Sequence, residues 1–298
     1  MIGEVAAVCA ACCWAVGSHL FGRIGATTRL PAGAMNLGKC VTAGVLFAVT
    51  SAALTGHFTP HLPQRALVWL ALSGVVGLAL GDESYFRAIL TIGVRRALLL
   101  LSMAPVFTAV GGALFLGEAL TIRDTVAIGA VLVGVAVVVY EQEPSSNRRA
   151  LSASGLLFGL GAGLGQAVGS LMSRAGMSAG VSALDAALVR LSAGVAGILL
   201  FSAARGQVVS YARALARPRV LLAVAGSATV GTYAGIWLSQ YAIGHASSTA
   251  IASTLLATSP VFALPLGRWL NAEPITSRAV AGTALACAGL SLLTFGQR

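Results

Sequence analysis

A chain of 298 residues that is 57% hydrophobic and only 9% charged, with a mean hydropathy of +0.88, carries more apolar surface than one soluble core of this size can bury. That excludes a water-soluble globular domain. Its net charge of +10 is spread between apolar runs instead of clustering beside aromatic residues, which points to lipid headgroups as the partner and away from nucleic acid.

A membrane-crossing helix takes about 20 mainly apolar residues, so ten of them would use roughly 200 positions of this chain. The sequence reads as all-α and integral to the membrane, with ten transmembrane helices. The first span, Val5 to Phe21, follows Glu4 instead of a basic cluster, so it reads as a retained span and not a cleaved leader. Its Cys9, Cys12 and Cys13 lack nearby partners at ligand spacing; with Cys40 and Cys287 they read as apolar filler, and no metal, cofactor or disulfide framework is expected. The second span, Ala34 to Leu54, contains Lys39. The third, Ala66 to Phe86, carries Asp82 and Glu83 near its end, and Glu83 can pair with Arg87 four residues on. The fourth, Ala97 to Leu116, contains Pro105, expected to bend it, and the fifth runs from Thr121 to Tyr140.

A polar stretch, Glu141 to Arg149, joins this unit to a second one. Its spans are Ala153 to Met172, Ala183 to Ala203, Val220 to Tyr241, Ala246 to Gly267 and Ala279 to Phe295. Ala15-Val16-Gly17-Ser18 recurs as Ala167-Val168-Gly169-Ser170, and Pro105-Val106-Phe107 as Pro260-Val261-Phe262. Glu118, Thr121, Arg123 and Gly134 recur as Glu273, Thr276, Arg278 and Gly289, all at the offset of 155 that the prolines keep. A lone cation near the start of the second helix recurs as well, as Lys39 and Arg190. Five spans per unit return the chain on the opposite side, so residues 1–143 and 144–298 are expected to form two inverted five-helix repeats of one transport domain. Inverted repeats suit alternating access around a midplane site.

Polar groups inside a bilayer mark candidate function, since an ionisable side chain at a helix centre costs about 2.5 to 3.5 kcal/mol on insertion scales. Asp82 has no partner in its own helix and is a candidate to bind a substrate amine or to take up a coupling proton; the alternative is that it sits in interfacial water. Trp14 corresponds by repeat to Gln166, and Ser18 to Ser170, so Trp14 and Gln166 are expected to face one another near mid-depth, where a ring, an amide and two hydroxyls either line a cavity or simply pack helices. Tyr233, Trp237, Gln240 and Tyr241 share one face of the eighth helix, Tyr241 reading as an interfacial anchor like Trp69 and Trp269. The substrate pathway is expected to pass Trp14, Ser18, Asp82, Tyr85, Gln166, Ser170, Tyr233, Trp237 and Gln240. Lys39 and Arg190 either snorkel to the nearer interface or hold an anionic group, snorkelling being the simpler expectation. Pro260 should bend its helix as Pro105 does. Glu118 and Glu273 read as structural turns that satisfy free amides of the next helix, and His19 and His245 as hydrogen-bonded packing residues.

Trp14, Gly81-Asp82, Tyr85-Phe86-Arg87-Ala88, Pro105 and Gly117-Glu118-Ala119-Leu120 in the first unit, with Gln166, Arg190, Pro260 and Glu273 in the second, resemble the EamA-type transporters of the drug/metabolite transporter superfamily. Ala272-Glu273-Pro274 departs from the family's usual turn. The resemblance implies ten helices in two repeats, no enzymatic activity, and secondary transport of small organic molecules, amino acids being the commonest cargo. A bacterial cytoplasmic (inner) membrane is the matching location, monomer and homodimer both staying open. A lipid-linked substrate flippase is the alternative. Arginines count twelve on one set of connections against four on the other; loop charge would place both termini outside, whereas the resemblance implies both inside.

Overall fold

In hydrocarbon a backbone must satisfy its own hydrogen bonds, so apolar runs of this length become helices. The computed structural model describes residues 2–56, 62–115, 121–140, 151–177, 180–245, 255–256, 258–271 and 274–296, with no strand among them. In chain order the helices are α1 (Ile2–Thr28), α2 (Ala32–Thr55), α3 (Gln64–Ile92), α4 (Val94–Leu101), α5 (Ala104–Phe115), α6 (Ile122–Val139), α7 (Ala153–Met177) and α8 (Ala183–Ala204). They continue with α9 (Val208–Leu215), α10 (218–245), α11 (Ser259–Asn271) and α12 (Ser277–Gly296).

Eight segments among the described residues are long and apolar enough to cross a membrane, the last being Pro218–Ser239 in α10; Ser277–Leu292 of α12 is a shorter apolar helix. The expected span Ala246 to Gly267 lies partly outside the described residues, and α11 takes up its second part. Helix α1 has 27 residues, ten more than the apolar run, because Ile2 to Glu4 precede that run and Gly22 to Thr28 continue the same backbone ladder beyond it. At about 1.5 Å per residue it reaches ~40 Å, the hydrocarbon core plus both headgroup layers.

The repeated threonines are helix caps. Thr121 Oγ1 accepts from Asp124 N at 3.1 Å while Thr121 N donates to Asp124 Oδ2 at 3.0 Å, closing a box at the start of α6. Thr276 Oγ1 accepts from Ala279 N at 3.1 Å at the start of α12. The repeated prolines do more than bend. Lacking an N–H, Pro105 leaves the Leu101 carbonyl without its helical donor, and α4 stops there; after a turn at Ser102 and Met103 the chain restarts as α5. In the second unit α11 begins at Ser259, one residue before Pro260. Helix α9, unforeseen because it is too short to span, buries Tyr211 against Gly33 of α2.

Packing is reciprocal between the two units. Helix α1 lies on α10 and α11, α7 lies on α3, α2 on α8, and α6 on α12. At each crossing of a first and a third span two glycines meet. A Cβ on Gly17 would stand 2.5 Å from Gly231 Cα, and one on Gly169 would stand 2.9 Å from Gly77 Cα. Gly134 presses on Gly282 and Ala286, and Gly289 on Ala127 and Val131, in the same manner. Where lipid tails are as apolar as leucine, such close backbone approach is what holds helices together. Both third spans also widen into a π-helical turn, at Gly74–Gly81 and Thr229–Ala234. The first of these leaves the Leu78 carbonyl to Asn36, whose Nδ2 donates to it at 2.7 Å. Val45, Val49, Leu157, Leu200 and Leu222 are exposed on the outside, where acyl chains would cover them.

Gly17→Val and Gly169→Val should each destabilise the protein by about 1 to 3 kcal/mol through overpacking. Gly226→Ala, on a position of α10 with nothing within 4 Å of the added methyl, should be neutral or stabilising by up to ~1 kcal/mol. Thermal midpoints in detergent, read by size-exclusion recovery, decide this; equal midpoints for all three would show that the crossings do not hold the bundle.

Candidate functional site

Three helices bring charge to one region inside the bundle. Asp82 stands one residue past the widened turn of α3 and forms an ion pair with Lys39 of α2, whose side chain is buried. Lys39 Nζ also lies 5.6 Å from the centroid of the Phe86 ring, and Phe86 in turn meets Phe21 of α1 edge-on at 4.9 Å. From α8, Arg190 reaches the same widened turn: a methyl on Gly77 would come within 3.6 Å of its Nη2. It lies within electrostatic range of Asp82 and of Lys39. Its Nε is buried with no hydrogen-bond partner among the described residues.

Snorkelling is therefore the wrong description of Lys39. An opposite charge on the neighbouring helix is nearer than water, and an ion pair plus an aromatic face offsets the burial without the side chain reaching an interface. Asp82, likewise, is paired across helices instead of being left to interfacial water.

Around this centre the expected pathway residues fall into three groups. Ser18 Oγ donates to the Trp14 carbonyl at 2.7 Å and accepts from Tyr85 OH at 2.8 Å, so Trp14, Ser18 and Tyr85 form one chain leading to the turn that carries Asp82. The Trp14 ring itself lies against Gly235 of α10. Tyr233 shares a 2.7 Å hydrogen bond with Thr50 of α2, meets Phe47 edge-on at a centroid distance of 4.9 Å and lies tilted beside Trp237 at 6.3 Å. Gln166 sits on α7 beside Gly165, which crosses Gly81, while Ser170 next to it is exposed. The Trp14 ring thus lies where α1 meets α10, while Gln166 belongs to the helix that crosses α3. The Gln240 side chain, Glu118 and Glu273 lie outside the described residues. His19 is fully buried, its Nε2 bonded to the Ala263 carbonyl at 3.0 Å, so it ties α1 to α11.

A second charged cluster closes one face. The Glu83–Arg87 pair expected from spacing forms, and Glu83 Oε1 also accepts from Arg205 Nη1 at 3.0 Å. Arg87 stands 5.3 Å from the Phe158 ring, and Tyr211 OH donates to Gln207 Oε1 at 2.9 Å. Burial, with Glu83 nearby, pushes the Tyr211 phenol up, so it stays protonated as a donor. These groups surround a recess of about 300 Å³ lined by Pro31, Gly33, Arg87, Thr91, Phe158, Gln207 and Tyr211. The link from α3 to the end of α8 joins residues 122 positions apart, which no local spacing could reveal.

Comparison with known proteins agrees with this architecture. The model of the EamA-like transporter family matches residues 1–140 and again residues 153–295. No curated protein matches the chain. A solved structure described simply as "Crystal structure of protein" is similar over 98% of this chain and 96% of its own, at 18% identity and a TM-score of 0.65, which supports the fold alone. With its two halves both matched, this multi-pass integral membrane protein belongs to the EamA-like transporter family of the drug/metabolite transporter superfamily.

Proposed function

We propose that this protein is a secondary carrier of small organic metabolites such as amino acids, working as an exporter by alternating access in a bacterial cytoplasmic (inner) membrane. The two units, 1–143 and 144–298, act as inverted five-helix repeats that rock about a site near the bilayer midplane. The observation that carries this reading is the reciprocal packing: each unit's first helix lies on the other's third across a glycine pair, Gly17 with Gly231 and Gly169 with Gly77. Two equivalent seams allow two equivalent tilts, which is the mechanical requirement for exposing one site to either side in turn.

In this reading Trp14, Ser18, Asp82, Tyr85, Gln166, Ser170, Tyr233, Trp237 and Gln240 border the path, and Asp82 is the group that takes up a coupling proton. Protonation of Asp82 would release Lys39 from its ion pair, so loading and charge rearrangement are linked at one carboxylate. Glu83, gripping Arg87 of its own unit and Arg205 of the other, serves as a latch that must open when that face is exposed.

Proteoliposomes containing the purified protein and loaded with labelled amino acids or nucleosides, with and without a pH gradient, test the carrier reading. Saturable counterflow of amino acids is expected, lost about fivefold or more in Trp14→Ala if the ring contributes ~1 kcal/mol or more to holding the solute. Asp82→Asn should abolish stimulation by the gradient; unchanged stimulation would remove Asp82 from coupling. Glu83→Gln should raise amide hydrogen exchange across residues 204–215 by about tenfold, as loss of a charged hydrogen-bond pair predicts. Unaltered protection there would mean that Glu83 is no latch.

A further inference from the structure

The charges at the centre do not sum to zero. Lys39 and Arg190 bring two positive charges to the widened turn of α3, and Asp82 brings one negative charge. Glu83 cannot make up the difference, since Arg87 and Arg205 already hold it. Asp82 is bonded to Lys39, and the Arg190 side chain, whose Nε is buried with no hydrogen-bond partner among the described residues, stands only within electrostatic range of Asp82. An arginine enters the interior of a membrane protein at a substantial cost and is normally matched by an anion. Its planar fork fits a carboxylate by two parallel hydrogen bonds, which a lysine cannot reproduce.

We infer that the cargo supplies the missing negative charge: a small solute bearing a carboxylate, received by Arg190 at the widened turn of α3, with Lys39 as a second cation that Asp82 holds in reserve. This rests on the carrier reading above and narrows its substrate class. Asp82 competes with the incoming acid for Lys39, so the empty site stays partly neutralised and the loaded one is not held too tightly to release. Arg190 and Lys39 come from the second helix of different units, so one bound anion draws the two units together. Gly74 lets the backbone of α3 pack directly on that of Arg190, and at Gly77 an added methyl would already touch Arg190 Nη2 at 3.6 Å, so the glycines bring the guanidinium up against the widened turn.

The test uses the full-length protein in phosphatidylcholine nanodiscs, with binding measured for alanine, leucine and phenylalanine. Each is compared with its analogue lacking the acid (ethylamine, isoamylamine, phenethylamine) and its analogue lacking the amine (propionate, 4-methylpentanoate, 3-phenylpropionate). Acids and zwitterions are expected to bind and the amines to fail. Arg190→Gln should raise the half-saturating concentration at least about tenfold, Arg190→Lys less. Asp82→Asn, which frees Lys39, should lower it, a change of opposite sign that misfolding cannot imitate. Binding of amines in preference to acids, no binding of any acid, or acid binding indifferent to Arg190→Gln in monodisperse protein would overturn the inference. So would displacement of bound acid by phosphatidylglycerol added to the discs, which would assign the cation to a lipid headgroup. The carrier reading fails separately, if acids bind yet no labelled compound crosses proteoliposomes.

Discussion

The close approach of backbone to backbone at glycine is the constraint from which the rest of this structure follows. Lipid gives helices no hydrophobic reason to associate, so contact must come from dispersion and polar links at short range, and a side chain as small as a methyl at Gly17 or Gly169 would push the crossing helices apart. The same crossings fix where function can sit. Gly169 and Gly165 hold α7 against Gly77 and Gly81, two of the three glycines within the widened turn of α3, and Asp82 is the next residue after Gly81. A widened turn releases carbonyls that the bundle must satisfy, which is why Asn36 from α2 reaches Leu78, and just before that turn Ser73 Oγ donates across the crossing to the Gly169 carbonyl of α7 at 2.6 Å. Such turns often occur at functional sites because they disturb a helix without ending it.

Charge placement is a consequence of that geometry. Lys39 and Arg190 occupy similar positions near the start of α2 and α8, and α2 and α8 pack on one another. Two cations on facing helices would repel in a low dielectric, and an acid on the helix between them reduces that cost. Asp82 meets the need for Lys39, while Glu83, one residue on and therefore about 100° round the helix, points to a different pair of arginines near the rim. Adjacent acids thus divide between an inner site and an outer closure through helical geometry alone.

Much of the fold was legible in the sequence because lipid makes the rules simple. Apolar length marks the spans, and the offset of 155 between Pro105 and Pro260 or Thr121 and Thr276 marks the duplication. The threonine caps and the helix breaks before each proline are local chemistry, and the residues state it directly. What the sequence did not disclose is nonlocal. Lys39 looked like a snorkelling residue because its partner stands 43 positions away, and Arg205 looked like a loop charge although it reaches Glu83. The ring of Phe47, a residue indistinguishable from ordinary apolar filler by pattern, organises Tyr233 and Trp237. Helix α9 was missed because a short apolar run with two arginines near it has no span-length signal.

The duplication is also imperfect where imperfection matters. Gly77 and Gly81 have counterparts in Gly231 and Gly235, each at an offset of 154, so the position matching Asp82 is Ile236 and that matching Glu83 is Trp237. The scaffold, made of glycine crossings and widened turns, appears twice, whereas the acids appear once. A symmetric frame is what the proposed rocking motion would need, because its two tilts should lie close in energy. A small metabolite, by contrast, has distinct ends, and binding it in one orientation requires a site that differs from one side to the other. In the proposed carrier, placing the acid in α3 and aromatic and aliphatic residues at the matching turn of α10 would give the site a charged end and an apolar end while leaving the two glycine seams alike.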